Sequence, residues 1–222
     1  YVYDASGRRL RFQVSPEGRV TEFVYNAFGQ IEQERHYLTS YDQSQGLSLA
    51  QLDSWESDYQ LIRYSYDFRG QLASQTRFSG VNGGGVASTT EYVYDQRGRL
   101  LKQVTPEGVA TTQNTNDFVS HYVYDTLGRL IQSTDAEGQV THIAYQESQQ
   151  RILTTAANGL ITTRVVDFAG RTVSMTQGKV LGQSQDFDAF GSQSFFYNDE
   201  GQLVVSVDQL QQPTYYFYNE KG

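Results

Sequence analysis

Cysteine is absent from the 222 residues, proline occurs three times, and tryptophan and methionine once each. The first absence removes disulfides and thiolate sites, though it does not fix the compartment, because exported proteins also lack cysteine. Basic residues are in the minority: 17 Lys and Arg against 25 Asp and Glu leave a formal charge of −8. An acidic surface repels phosphate backbones, which argues against a nucleic-acid partner. No apolar run approaches the length of a membrane span. Tyr and Phe are plentiful, 17 and 12 copies, although hydrophobic residues make up 38%. Disordered acidic chains are poor in aromatics, so a folded chain is expected. The length suits one medium domain or two small ones.

The aromatics sit in a repeat. Tyr3-Asp4-Ala5-Ser6-Gly7-Arg8 returns as Tyr66-Asp67-Phe68-Arg69-Gly70-Gln71, Tyr94-Asp95-Gln96-Arg97-Gly98-Arg99 and Tyr124-Asp125-Thr126-Leu127-Gly128-Arg129. Looser copies place Asn26 with Gly29, Asp167 with Gly170, Asp188 with Gly191, and Asn198 with Gly201. A second turn signal lies between them: Ser15-Pro16-Glu17-Gly18, Thr105-Pro106-Glu107-Gly108, Asp135-Ala136-Glu137-Gly138 and Asn158-Gly159. Successive glycines are often ten or eleven residues apart, as at 7, 18 and 29 or 98 and 108. That step holds one four-residue turn and one strand. In Asp-x-x-Gly the carboxylate accepts a backbone N–H two residues on, and Gly closes a hairpin in the left-handed conformation. Pro16 and Pro106 suit the second position of a type I turn. Tyr-x-Tyr before the turn puts two rings on one strand face. Tyr1, Tyr3, Tyr25, Tyr64, Tyr66, Tyr92, Tyr94, Tyr122, Tyr124, Tyr197, Tyr216 and Tyr218 are therefore expected to form an aromatic ladder between hairpins.

The pattern resembles the YD repeats of the Rhs family, whose relatives include bacterial polymorphic toxins, the B and C components of insecticidal toxin complexes, and the teneurins. The signature here runs Tyr122-Val123-Tyr124-Asp125-Thr126-Leu127-Gly128-Arg129-Leu130, then Asp135-Ala136-Glu137-Gly138-Gln139-Val140-Thr141. The resemblance covers almost the whole chain. It implies an all-β fold: tandem antiparallel hairpins in a curved sheet, part of a hollow β-shell that encloses a C-terminal toxin or, in teneurins, belongs to an adhesion receptor. It also implies an exported protein. Neither a self-cleavage signature nor a toxin domain is seen within these residues. Gln149 and Gln211 stand where turn glycines are expected.

Residues 1–222 thus read as one repeat segment of a larger protein, beginning mid-pattern and joining neighbouring repeats of its parent chain. Three stretches interrupt it. At 36–62, Leu49, Leu52, Trp55 and Tyr59 fall near helical spacing, and Ser48 with Gln51 suits a capping box. A short helix over 48–58, the sole helix expected, would cap the sheet. Residues 79–90, with Gly83-Gly84-Gly85, read as a flexible loop, and 112–120 as a polar loop.

No catalytic constellation stands apart from the repeat. Asp4, Asp67, Asp95, Asp125, Asp167 and Asp188 share one turn position, whereas acid–base pairs need unlike environments. His36, His121 and His142 lack metal-ligand spacing, and no nucleophile elbow is present. Arg8, Arg99, Arg129 and Arg171 follow the turn Gly and are expected in surface or cross-strand pairs. The reading is a structural wall segment: no enzyme, no cofactor, no metal. The alternative is an adhesion or carbohydrate-binding module, against which the single Trp55, outside the repeats, counts.

Overall fold

The computed structural model of the chain describes residues 1–110, 118–180 and 187–219. Two compact units divide it, Tyr1–Val119 and Ser120–Gly222. Both are antiparallel meanders, and the fold is all-β.

In the first unit the strands are β1 (Val2–Tyr3), β2 (Leu10–Val14), β3 (Val20–Tyr25), β4 (Ile31–Tyr37), β5 (Tyr59–Tyr66), β6 (Leu72–Phe78), β7 (Ala87–Tyr94) and β8 (Leu100–Val104). Each pairs with its successor. In the second unit β9 (Val119–Tyr124), β10 (Leu130–Thr134), β11 (Val140–Gln146), β12 (Arg151–Thr155), β13 (Leu160–Val166), β14 (Thr172–Val180), β15 (Phe187–Tyr197), β16 (Leu203–Val207) and β17 (Pro213–Tyr215) do the same. Successive turns of a meander alternate between the two ends of its strands. The Tyr-Asp turns therefore fall at one end and the Pro-Glu-Gly type at the other. Beside the motif Tyr the register slips, as between Val24 and Tyr25 or Ser65 and Tyr66, so every motif hairpin there carries a bulge. A bulge strengthens local twist and bends the strand.

The buried apolar cluster lies in the first unit. Phe12, Val20 and Val2 on the strands meet Tyr41 and Leu52 of the segment between β4 and β5. That segment contains helix α1 (Leu49–Asp53), with the Ser48–Gln51 capping box formed. The helix is shorter than 48–58, and β4 and β5 run to Tyr37 and from Tyr59, so the insertion is also shorter than 36–62. Trp55 has left the helix and packs on Tyr37 and Tyr41. In the second unit β10, β12 and β16 are half-buried at every position. A sheet wetted in this way draws its stability from neighbouring strands rather than from a central core.

Four expectations need correction. First, Thr105-Pro106-Glu107-Gly108 is not a hairpin turn: it opens a second helix, α2 (Pro106–Ala110). Proline suits a first helical position, and the first helical turn shares its backbone angles with a type I turn, so the downstream chain decides. Here the hairpin closes only where the Thr105 N–H meets the Phe118 carbonyl, at 2.9 Å. Second, Asp188 and Gly191 lie inside β15, not in a turn. A turn there would leave the long strand before it facing a short return; instead β14 and β15 pair from Ser174 with Ser194 to Val180 with Phe187, which satisfies more backbone groups. Third, β7 begins at Ala87, and the preceding loop is hydrogen-bonded: Ser79 N–H to Val86 C=O at 3.0 Å and Gly80 N–H to Gly84 C=O at 3.0 Å. Fourth, after β11 the left-handed residue is Gln150 (φ 51°) rather than Gln149, because 147–149 form a 3-10 turn that moves the cap one residue on. Most of the expected 112–120 loop lies outside the described residues.

Candidate functional site

The recurring feature is the row of Tyr-Asp turns at one end of the strands. In turn 95–98 the Gly98 N–H donates to the Asp95 carbonyl (3.1 Å) and the Asp95 N–H to the Arg99 carbonyl (2.9 Å). Gly98 has a φ of 83°, which closes a type I turn with a left-handed residue. One Asp95 carboxylate oxygen accepts the N–H groups of Arg97 (2.8 Å) and Arg99 (3.0 Å), and the other takes the Arg99 Nε at 2.7 Å. Arg129 returns to Asp125 and Arg171 to Asp167 in the same way, at 2.8 and 2.7 Å. The expected surface or cross-strand pairing thus takes the form of a pairing within the turn at Asp95, Asp125 and Asp167, and Arg129 also pairs with Glu147 beyond its own turn. Backbone donation from Arg99, Arg129 and Arg171 is the largest influence holding the carboxyls of Asp95, Asp125 and Asp167 below the usual range; at Asp4 it is the Ser6 hydroxyl.

Where the turn begins with Asn, the residue after Gly is Gln. Asn26 Nδ2 donates to Gln30 Oε1 at 3.1 Å, and Asn198 Nδ2 to Gln202 Oε1 at 2.8 Å. The reason is donor count. With Oδ1 engaged by the backbone, asparagine offers an NH2, which needs an acceptor; arginine has none and glutamine has one.

The residue after Gly also reaches the next turn in the row. Gln30 Nε2 donates to the Gly70 carbonyl at 2.8 Å, and Gln71 Nε2 to the Gly98 carbonyl at 3.0 Å. Arg9, the second residue after Gly7, lies so close to Gly29 that a Cβ there would stand 2.9 Å from its guanidinium nitrogen. Arg171 approaches Gly201 likewise, at 3.2 Å. This position was missed as a stacking element, although its steady choice of Arg or Gln was visible in the sequence.

The motif tyrosines make the second tie. Four of them donate the hydroxyl to the carbonyl of the residue that starts the return strand of the preceding motif hairpin: Tyr25 to Leu10 (2.8 Å), Tyr66 to Ile31 (2.7 Å), Tyr197 to Thr172 (2.9 Å) and Tyr218 to Leu203 (2.7 Å). Tyr145, in the degenerate repeat, does the same with Leu130 at 3.1 Å. Guanidinium groups cover the rings of Tyr25, Tyr145 and Tyr197 at 5.5, 4.1 and 4.8 Å from the centroid. At these positions a carbonyl and a cation stand where the sequence suggested ring against ring. Tyr64 instead donates to Glu34 Oε2 at 2.8 Å, which, after burial, helps push its hydroxyl up to about 12. Tyr92, Tyr94, Tyr122 and Tyr124 are half-buried, Tyr1 and Tyr3 are exposed, and Tyr216 hydrogen-bonds Ser206 at 3.2 Å.

One charged cluster lies beneath the insertion. Glu22, 2% exposed, is held by Arg11 (2.7 Å), Arg35 (3.1 Å) and the Tyr37 hydroxyl (2.9 Å). Burial first, and then this carboxylate, push Tyr37 up to about 12. Both Glu22 oxygens are engaged, so the cluster is built to hold strands together.

These observations define a repeat protein: antiparallel hairpins, several of them tied to a neighbour by a tyrosine hydroxyl, a long polar side chain or both. The RHS Repeat family model matches residues 124–161, which run from a motif Tyr through turns 125–128 and 135–138 into β13. The same hairpin, with its Tyr-Asp turn, recurs in both units. Among solved structures it is similar to a Tc holotoxin pore of Photorhabdus luminescens carrying a TccC3 mutation, at 12% identity over 97% of this chain and 13% of that one, with a TM-score of 0.41. Similarity extends to TcdB2-TccC3-Cdc42, at 12% identity over 90% of this chain and 14% of that one, with a TM-score of 0.31. For TcdB2-TccC3 the figures are 13%, 90%, 14% and 0.29. The chain spans about one seventh of the length of these structures. No curated protein matches it.

Proposed function

We propose that this chain is a wall segment of an exported Rhs-type shell that encloses a toxin or similar cargo, and that it acts without catalysing a reaction. The observation that carries this reading is the use of the motif itself. Asp, Gly, Tyr and the Arg or Gln after Gly are engaged in closing a turn or tying it to the next, which is what a continuous wall requires and what a reaction centre does not. The solved relatives contain TccC3, a component of the Tc holotoxin, which supports a toxin as the cargo. Neighbouring repeats of the parent chain are the immediate partners.

The test uses the full protein that carries this segment. Its cargo is expected to resist added protease, and deletion of the hairpin pair 122–143 is expected to open it to cleavage. A cargo equally protected after the deletion would overturn the reading.

A further inference from the structure

Hairpin stacking leaves one feature of the first unit without a role. The segment between β4 and β5 carries the chain's one tryptophan. Trp55, Tyr59 and Tyr37 line an open cleft of about 390 Å³, and Glu56, Ser57 and Asn82 complete its rim. That volume lies within the roughly 300–1,000 Å³ of small-molecule sites.

The aromatic wall is anchored from behind. Tyr37 and Trp55 are 5.0 Å apart between centroids, Tyr37 and Tyr59 5.6 Å, and the buried Tyr41 meets Trp55 edge-on at 5.3 Å. The Tyr37 hydroxyl is fixed by Glu22 at 2.9 Å. The rim is ordered too: Asn82 donates to Asp58 at 2.7 Å and accepts the Tyr59 N–H at 3.1 Å. In front, the polar groups are unused. Among the described residues, the Trp55 indole N–H, the Tyr59 hydroxyl and the exposed Glu56 carboxylate have no protein partner.

We propose that this cleft binds a neutral pyranose ring. A sugar presents an apolar C–H face that packs on an aromatic wall, and hydroxyls that both donate and accept. Glu56 can accept from them, and the Trp55 N–H can donate to them. Charge narrows the class. Glu56 and Asp58 at the rim repel an acidic sugar. An organic ammonium would also seek rings beside a carboxylate, but the Arg35 guanidinium already covers the Tyr59 ring, at 5.1 Å, and sets a positive charge beside the cleft. The site is independent of any shell function.

The single tryptophan makes the test direct. The whole chain is titrated with methyl β-D-glucopyranoside and methyl β-D-galactopyranoside while Trp55 emission is followed. At least one glycoside is expected to give a saturable change, with a Kd on the order of millimolar. Glu56→Ala, with no protein contact to lose, is expected to keep its circular dichroism and weaken binding about tenfold or more. No saturable change with either glycoside, unaltered binding in Glu56→Ala, or saturation by tetramethylammonium alone would each overturn the proposal.

Discussion

Gln30 donates its side-chain amide to the carbonyl of Gly70 at 2.8 Å, although forty residues separate them. Gln71 repeats the move toward Gly98 at 3.0 Å. Three successive motif turns of the first unit are therefore tied by the glutamine that follows the glycine, although the loops between them differ in length.

The motif hydroxyls should be measurable one at a time. Tyr66→Phe and Tyr197→Phe each remove a donor from a strand carbonyl and are expected to cost about 1 kcal/mol. Tyr3→Phe, at an exposed ring, should stay within about 0.5 kcal/mol of the parent. Urea midpoints by circular dichroism check this, and equal midpoints for all three would deny the hydroxyl its role.

Two turn glycines share a backbone conformation but not a neighbourhood. Gly18 and Gly138 have φ near 80°, yet a Cβ on Gly18 would stand 2.5 Å from the Tyr41 carbonyl oxygen, whereas one on Gly138 meets nothing within 4 Å. Positive φ alone costs a side chain about 1–3 kcal/mol. Gly18→Ala should cost clearly more than Gly138→Ala, because a backbone carbonyl cannot step aside. Paired denaturation curves decide it.

Acid should loosen the turns. The carboxyls of Asp95, Asp125 and Asp167 titrate below their usual range when folded. A lowered folded pKa contributes stability above the unfolded value, and that contribution is lost as pH falls through the folded one. Stability should therefore decline below about pH 4. Asp125→Asn should lose stability at neutral pH and show a shallower acid decline, since an asparagine there faces Arg129, which offers no acceptor. Melting midpoints from pH 7 down to pH 3 provide the measurement.

Glu22→Gln should be the most damaging conservative change. It leaves Arg11 and Arg35 without their shared carboxylate. Breaking a buried ion pair typically costs about 3–5 kcal/mol, and the low end applies because the arginine ends reach solvent. The same cluster sets an alkaline limit. Tyr37, held up at about 12, keeps its proton while the unfolded chain loses it, so stability falls as pH rises from its ordinary value of 10.0 toward that figure. Tyr37→Phe should flatten that decline in pH-dependent melts, although it also removes the Glu22 hydrogen bond.

Much of the fold was legible because its signals are local. Asp-x-x-Gly sets a turn through bonds spanning four residues, and this is why turns 67–70, 95–98 and 125–128 sit where the repeat places them. The Ser48–Gln51 capping box was legible for the same reason. Identical local signals misled where a longer-range partner had the choice. Thr105-Pro106-Glu107-Gly108 is close in sequence to Ser15-Pro16-Glu17-Gly18, yet one becomes helix and the other turn, because their return strands resume at different distances. Asp188 to Gly191 carries the turn pattern and lies in a strand, because β14 and β15 gain more pairing that way.

The sequence by itself determined the hairpin and its repetition, since turn chemistry and strand alternation act between residues a few positions apart. Only the tertiary structure decided how one hairpin holds the next. Tyr25 finds Leu10, Gln30 finds Gly70 and Glu22 gathers Arg11 with Arg35 only after strands have paired. The grouping of Trp55 with Tyr37, Tyr59 and Asn82 is of the same kind. Register and bulge set which side chains face each other across strands, and those are properties of the folded sheet that no short window of residues contains.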